Sequence, residues 1–260
     1  MPQVSKNWNV PTRGVGLPDY STSAPVGSGI PQGALYTNSD SGELASRLGA
    51  YNSIDRRGNV VLHDNFESGV EAWPATLGAG AGAAKEWSTE SFRSGGFSMK
   101  VSGGLATTTR VTRNWGVNNP NKAGIEFSFA VEFFNTLMGI NYYSDNVNVY
   151  FAAWALMAQQ LLVWDRTVGL AVVVDNLEIL YGDNTYNGIK LVWDTVTGQY
   201  TRILCNQLEA DISRYQVPFL PAVLVGKYMQ AEFQIASRAA ANDSAYIDDF
   251  IATVNEPNNT

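Results

Sequence analysis

Two short acidic clusters hold the residues of this chain best suited to chemistry. "HDNFESGVEAW", residues 63–73, carries Asp64 and Glu67 beside the only histidine, His63, and "AYIDDF", residues 245–250, carries Asp248 and Asp249 side by side. Grouped carboxylates can hold a cation, work as an acid–base pair on a glycosidic bond, or cap turns. One histidine and one cysteine, Cys205, leave no multi-histidine metal site, cysteine zinc cluster or intrachain disulfide. Any serine–histidine–aspartate arrangement would depend on His63 alone. Cys205 reads as a small buried hydrophobe. A glycosidase needs two carboxylates facing across a cleft, and "EADIS", residues 209–213, begins a Glu-x-Asp-x-x-Glu strand pattern but stops after two acids. "GAGAGAA", residues 78–84, lacks the Lys-Ser/Thr that completes a phosphate loop. The chain therefore reads as non-enzymatic.

The other chemistry on offer is aromatic. A ring can pack on the apolar face of a pyranose while amides and acids bind its hydroxyls. Trp73, Trp87 and Trp115 are the leading candidates for such platforms, with Trp154, Trp164, Tyr142 and Tyr143 behind them. Tryptophans of a β-sandwich are also natural core residues, and that alternative stays open for each.

The elements that position these residues follow from composition and pattern. With 45% hydrophobic and 16% charged residues over 260 positions, the chain can bury a full core. Its 12% aromatic content and 24 glycines favour strands and turns over helices. A net charge of -7 repels phosphate, so neither nucleic acid nor an anionic membrane is an expected partner. The N-terminal "MPQVSKNWNVPTRGVGLPDY" has no apolar run of the kind a secretion signal needs. The most apolar stretch, residues 149–164, is interrupted by Gln159 and Gln160 and is too short to span a membrane. It reads as core, as paired strands in preference to a helix.

Residues 1–57 differ in texture from residues 58–260. The first span holds five of the ten prolines and five basic against four acidic residues, so the remainder carries -8. It reads as an extended N-terminal arm with Trp8, Tyr20, Leu35, Tyr36 and Tyr51 as anchors. "DSGELASRLG" predicts one short helix near 42–48, capped by Asp40 and Glu43 and stopped by Gly49. From Asn59 the pattern alternates. "NVVLHD" is a first strand; Phe97, Met99 and Val101 point one way; Ile125, Phe127, Phe129 and Val131 point inward, with Glu126, Ser128 and Glu132 on a wet face. "GIKLVWDTVTGQYTRIL" predicts a hairpin turning at residues 195–198, with Tyr200, Arg202 and Leu204 continuing the alternation. About ten to fourteen strands make an all-β jelly-roll β-sandwich of two antiparallel sheets.

"DNFESGVEAW", "SFRSGGFSMKVSGG" and "AYIDDFIATV" together resemble galactose-binding-like and carbohydrate-binding-module jelly rolls. "GIKLVWDTVTGQYTRIL" is similar to the hairpin of laminin-G-like and concanavalin-like sandwiches, and the layout with "ELASRLG" and "DRRGNVV" resembles sandwich domains of phage and archaeal-virus structural proteins. The first resemblance implies a structural calcium ion held by Asp64, Glu67, Asp248 and Asp249, no other cofactor being required. The alternative is that these acids form turns and strand ends. The virus resemblance implies a virion component made in the host cytoplasm: a capsid decoration, fibre or turret protein that self-associates and grips other virion or capsid subunits through its arm. A non-catalytic carbohydrate-binding module, with glycans as partners, is the alternative function.

Overall fold

Apolar side chains recurring at every second position build the strands of this fold, and turn residues set the spacing between them. The computed structural model describes residues 55, 57–117, 120–132, 136–182, 184–221 and 227–257. The arm anchors Trp8, Tyr20, Leu35, Tyr36 and Tyr51 and the expected helix near 42–48 lie outside the described residues. Among the described residues sixteen strands run in chain order: β1 (Asn59–Asp64), β2 (Ala75–Thr76), β3 (Ala84–Ser88), β4 (Ser98–Ser102), β5 (Thr108–Gly116), β6 (Lys122–Val131), β7 (Thr136–Ser144), β8 (Asn148–Met157), β9 (Gln160–Asp165), β10 (Gly169–Val174), β11 (Asn187–Asp194), β12 (Gln199–Cys205), β13 (Leu208–Asp211), β14 (Phe219–Pro221), β15 (Tyr228–Ala236) and β16 (Ser244–Val254). They form two antiparallel sheets of eight. The first, sheet A, has the order β13-β12-β11-β6-β16-β4-β3 with β1 also on β16; the second, sheet B, has the order β10-β9-β8-β7-β15-β5-β2 with β14 on β8. The described residues contain no helix.

The core lies between the sheets. Ile125, Phe127, Phe129 and Val131 of β6 point into it, as their alternation predicts. Phe127 meets Phe233 of the opposite sheet at 5.6 Å and Trp154 at 6.5 Å, and each such pair adds about 1 kcal/mol beyond the area it buries. The apolar run 149–164 is a hairpin. Ala158 and Gln159 have φ values of 49° and 61°, the paired left-handed geometry of a tight turn, so the glutamines that interrupt the run sit at its reversal. Cys205 is buried, and burial pushes its thiol up to about 12.

The β11–β12 hairpin departs from simple alternation. Val192 pairs with Arg202 but Trp193 pairs with Tyr200, a bulge that takes up Thr201. Tyr200 therefore enters the core while Arg202 faces outward. The wet face expected for Glu126 and Ser128 is also corrected: both are buried, and only Glu132 is exposed. The outer face of sheet A is polar but closed. Lys190 Nζ lies 3.2 Å from Asp55 Oδ2 and 2.7 Å from Glu256 Oε1, and Arg202 Nη2 lies 3.0 Å from Asp55 Oδ2 and 2.5 Å from Glu256 Oε2. Lys190 also donates to Arg57 O at 3.0 Å and Arg202 to Pro257 O at 3.1 Å. Two cations and two anions thus tie the residues before β1 to those after β16. Burial works to raise the Asp55 carboxyl, but Lys190, Arg57 and Arg202 hold it well below the usual carboxylate range.

Candidate functional site

β16 changes neighbour halfway along its length. Ser244 to Ile247 pair with β4, and Phe250 to Val254 pair with β1. Asp248 and Asp249 occupy the changeover, where the register on β6 shifts and Asp249 takes a φ of 49°. Both side chains are buried. They face the β3–β4 loop, residues 89–97. Asp248 Oδ2 accepts N–H bonds from Arg93 (2.7 Å) and Ser94 (3.0 Å), and its Oδ1 accepts the Asp249 N–H at 2.8 Å. Asp249 Oδ1 accepts the Ser94 hydroxyl at 3.0 Å.

The other acidic cluster reaches the same loop from β1. Glu67 Oε1 accepts the N–H groups of Gly96 (2.8 Å) and Phe97 (3.0 Å). A β-carbon on Gly95, whose φ is +65°, would fall 2.2 Å from that oxygen, so only glycine lets the carboxylate close on the loop. Asp64 braces its own turn, accepting Phe66 N–H at 3.0 Å and the Trp73 indole N–H at 2.9 Å. The two clusters therefore do meet, around a loop. Each of the four residues that the resemblance assigned to calcium accepts at least one protein donor, and among the described residues no group of three or more His, Cys, Asp or Glu side chains is placed to hold a metal ion. Burial, then the neighbouring Asp249, push the Asp248 carboxyl up to about 7, with the three N–H donors pulling against them.

What this brace positions is an aromatic pair. Phe97 stacks on Trp87 with centroids 3.9 Å apart and planes 17° from parallel. The Trp87 indole N–H donates to Phe66 O at 2.7 Å, so its rotamer is fixed from the β1 side as well. Yet Trp87 remains 47% exposed on the edge strand β3. A held ring with one face stacked, its N–H edge bonded and about half of its surface in solvent is a ready-made packing surface.

The other two platform candidates are corrected. Trp73 is completely buried, edge-on to Phe250 at 4.9 Å, because the Asp64 turn folds it into the core. Trp115 shares the inward phase of β5 with Val111 and is half-buried against Phe250 at 6.0 Å. Trp154 and Tyr143 are core residues. Tyr142 bonds Glu232, and burial followed by that carboxylate push its hydroxyl up to about 12. Trp164 is 39% exposed on the outer face of sheet B. Sequence reasoning missed Phe97 as the stacking partner; Gly95 and Gly96 before it were the available signal of a shaped loop.

No protein-family model matches the chain, and no curated protein matches it by sequence. Comparison with solved structures finds partial likenesses. One is the carbohydrate esterase vb_24B_21 of the Shiga toxin-encoding bacteriophage phi24B, at 14% identity and a TM-score of 0.47, over 76% of this chain and all of that one. Another is a Bacillus subtilis protein with a galectin-like fold, at 14% identity and a TM-score of 0.48, over 76% of this chain and 97% of that one. A third is the carbohydrate-binding module TmCBM61, solved with β-1,4-galactotriose, at 10% identity and a TM-score of 0.34, over 73% of this chain and 94% of that one.

Hydrolytic chemistry can be judged from the geometry of this chain itself. Ser94, His63 and Asp249 are the residue types of a serine hydrolase, but Ser94 donates to the carboxylate, and His63 Nε2 stands 3.6 Å from that same oxygen. The imidazole does not reach the hydroxyl as a base must. Glu209 is paired with Arg57 at 2.8 Å, and Asp211 caps Ser213 N–H at 2.8 Å, so the partial hydrolase pattern is spent on structure.

Proposed function

We propose that this chain is a non-catalytic glycan-binding β-sandwich whose contact surface is the Trp87–Phe97 pair. The observation that carries the reading is a half-exposed indole held on three sides: stacked on Phe97, tied through its N–H to Phe66, and backed by a loop that Glu67, Asp248 and Asp249 brace. A pyranose loses little by packing on such a ring, because the protein side is already ordered and the entropy cost of fixing it has been met in folding. The test is a glycan array probed with the full chain and with Trp87→Ala. Retention of specific glycans by the first and their loss from the second supports the reading; identical patterns refute it.

The virion setting, with residues 1–57 as a tether to neighbouring subunits, is the second reading. What favours it is the ion tetrad, since Asp55 and Arg57 fix the point where the preceding residues join the sandwich. In that setting the sandwich would present its platform from the particle surface, and removal of residues 1–50 would abolish incorporation while leaving glycan retention intact.

A further inference from the structure

The outer face of sheet A, closed by the ion tetrad and by the β3–β4 loop, opens beyond them into a cavity of about 260 Å³. Lys100 of β4 and Tyr246 of β16 line it from the sheet. They pair across the ladder, and because their neighbours Met99, Val101, Ala245 and Ile247 point into the core, both point outward. Arg238, Asn242 and Asp243 of the β15–β16 turn line it from the side, and Glu132 after β6 lines it too.

These groups are fixed by the fold itself. Glu90 Oε2 accepts Lys100 Nζ at 2.5 Å and the Tyr246 hydroxyl at 2.7 Å, and Lys100 Nζ stands 5.4 Å from the centre of the Tyr246 ring. Asp243 Oδ2 accepts the Arg238 backbone N–H at 2.7 Å, and its carboxylate takes the guanidinium on both oxygens, Nη2 on Oδ1 at 2.6 Å and Nε on Oδ2 at 3.1 Å. Asn242 spends its amide on the neighbouring loops, donating to Gly82 O at 3.0 Å and accepting Gly104 N–H at 2.8 Å. Little is left to order when a ligand enters.

Charge decides what the cavity can hold. Each cation that lines it already has a carboxylate, Glu90 for Lys100 and Asp243 for Arg238. An incoming anion would meet Asp243 and Glu132, and an incoming cation would meet Lys100 and Arg238, so each would be opposed by charge of its own sign. A neutral ligand meets no such opposition. Paired ions still bond hydroxyls, since an ammonium has three N–H donors and a carboxylate has several acceptor sites, and such charge-assisted bonds are about twice as strong as neutral ones. Sugar hydroxyls both donate and accept, which suits a lining that offers both. Ligand pockets span about 300–1,000 Å³, so this cavity suits one ring and not a chain.

We infer that this cavity is a second carbohydrate site, which takes a single neutral pyranose by its hydroxyls. It does not rest on the Trp87 reading. Trp87 pairs with Met99 on the core-side face of the β3–β4 ladder and Lys100 points the other way, so the two contacts lie on opposite faces of one edge. A single ring held in this way is released when an array is washed, so retention there still reports Trp87.

Amide chemical shifts of the full isotope-labelled chain test this. The neutral probes are methyl glucoside, methyl galactoside and methyl mannoside; the charged ones are glucuronate and glucosamine with its amine protonated. At least one neutral ring is expected to shift the amides of β4, β16 and residues 237–243, and to bind about tenfold or more tightly than either charged ring. Lys100→Met and Arg238→Gln each remove charged donors and should weaken that binding by about tenfold or more, whereas Trp87→Ala should leave it unchanged. Four results would each overturn the inference: no shift of those amides by any neutral ring at the highest soluble concentration, tighter binding of a charged ring, unaltered binding by the folded Lys100→Met and Arg238→Gln chains, or shifts that vanish in Trp87→Ala and so report the platform alone.

Discussion

The two outer faces of this sandwich invert each other. On sheet A the outward side chains are polar yet buried, with Lys190, Arg202, Asp248 and Glu126 all inaccessible; on sheet B the outward Trp164 of β9 and Leu170 and Val172 of β10 are apolar yet open. The difference lies in what crosses each face. Residues 55, 57 and 58, the tail after β16 and the β3–β4 loop lie on or beside sheet A, and buried charges there find partners at 2.5–3.2 Å. The free half of sheet B has an exposed Trp164 in their place. The contrast teaches that alternation fixes which way a side chain points, and the loops and chain ends fix whether water reaches it.

The largest effect should come from breaking the closed face. Arg202→Met leaves Asp55 and Glu256 buried with Lys190 as their remaining buried counter-charge, and should cost about 3–5 kcal/mol in urea denaturation. The paired substitution Arg202→Met with Glu256→Gln should cost less than the single one, since it removes charge of both signs. Next in size is the loop brace. Glu67→Ala frees two N–H donors and should cost about 1.5–3 kcal/mol while also weakening glycan binding, whereas Glu67→Gln keeps the accepting oxygen and should change both far less.

Acidity separates the two kinds of buried carboxylate. Asp248 stands at about 7 in the fold against an ordinary 3.8, so between those values the folded chain keeps a proton that the unfolded chain has lost. Its contribution to stability is full below the ordinary value and declines as pH rises to about 7. Asp55, held low by its cations, contributes in the opposite sense: its stabilisation is present above the ordinary carboxylate value and is lost as pH falls through and below it. Thermal melts across mildly acidic to neutral pH should show a downward slope in the wild type that Asp248→Asn flattens. The smallest effect belongs to the open face, where Leu170→Glu should alter the stability of the individual chain by no more than about 0.5 kcal/mol.

Much of the fold was legible because it depends on local pattern. The phase of β6, the first strand at Asn59–Asp64 and the inward run Met99–Val101 follow from alternation alone. The placement of Arg202 was not legible, because a one-residue bulge at Thr201 reverses the phase partway along β12. The site was half legible. Asp64, Glu67, Asp248 and Asp249 stood out as two clusters, and the structure brings three of them onto one loop, but the loop donors that hold Glu67 and Asp248 are backbone N–H groups that carry no sequence signal. Trp87 could not be told from Trp73 or Trp115 by residue type; its place on an edge strand, a property of topology, is what leaves it in solvent.

The central claim is that the braced indole of Trp87 contacts the ligand. Titration calorimetry of the full chain with a glycan retained on the array, set against Trp87→Phe and Trp87→Ala, tests it most directly. The account predicts that the phenyl ring keeps most of the affinity and that alanine lowers it by about tenfold or more with the fold intact. Binding by Trp87→Ala as tight as that of the unmodified chain would contradict it.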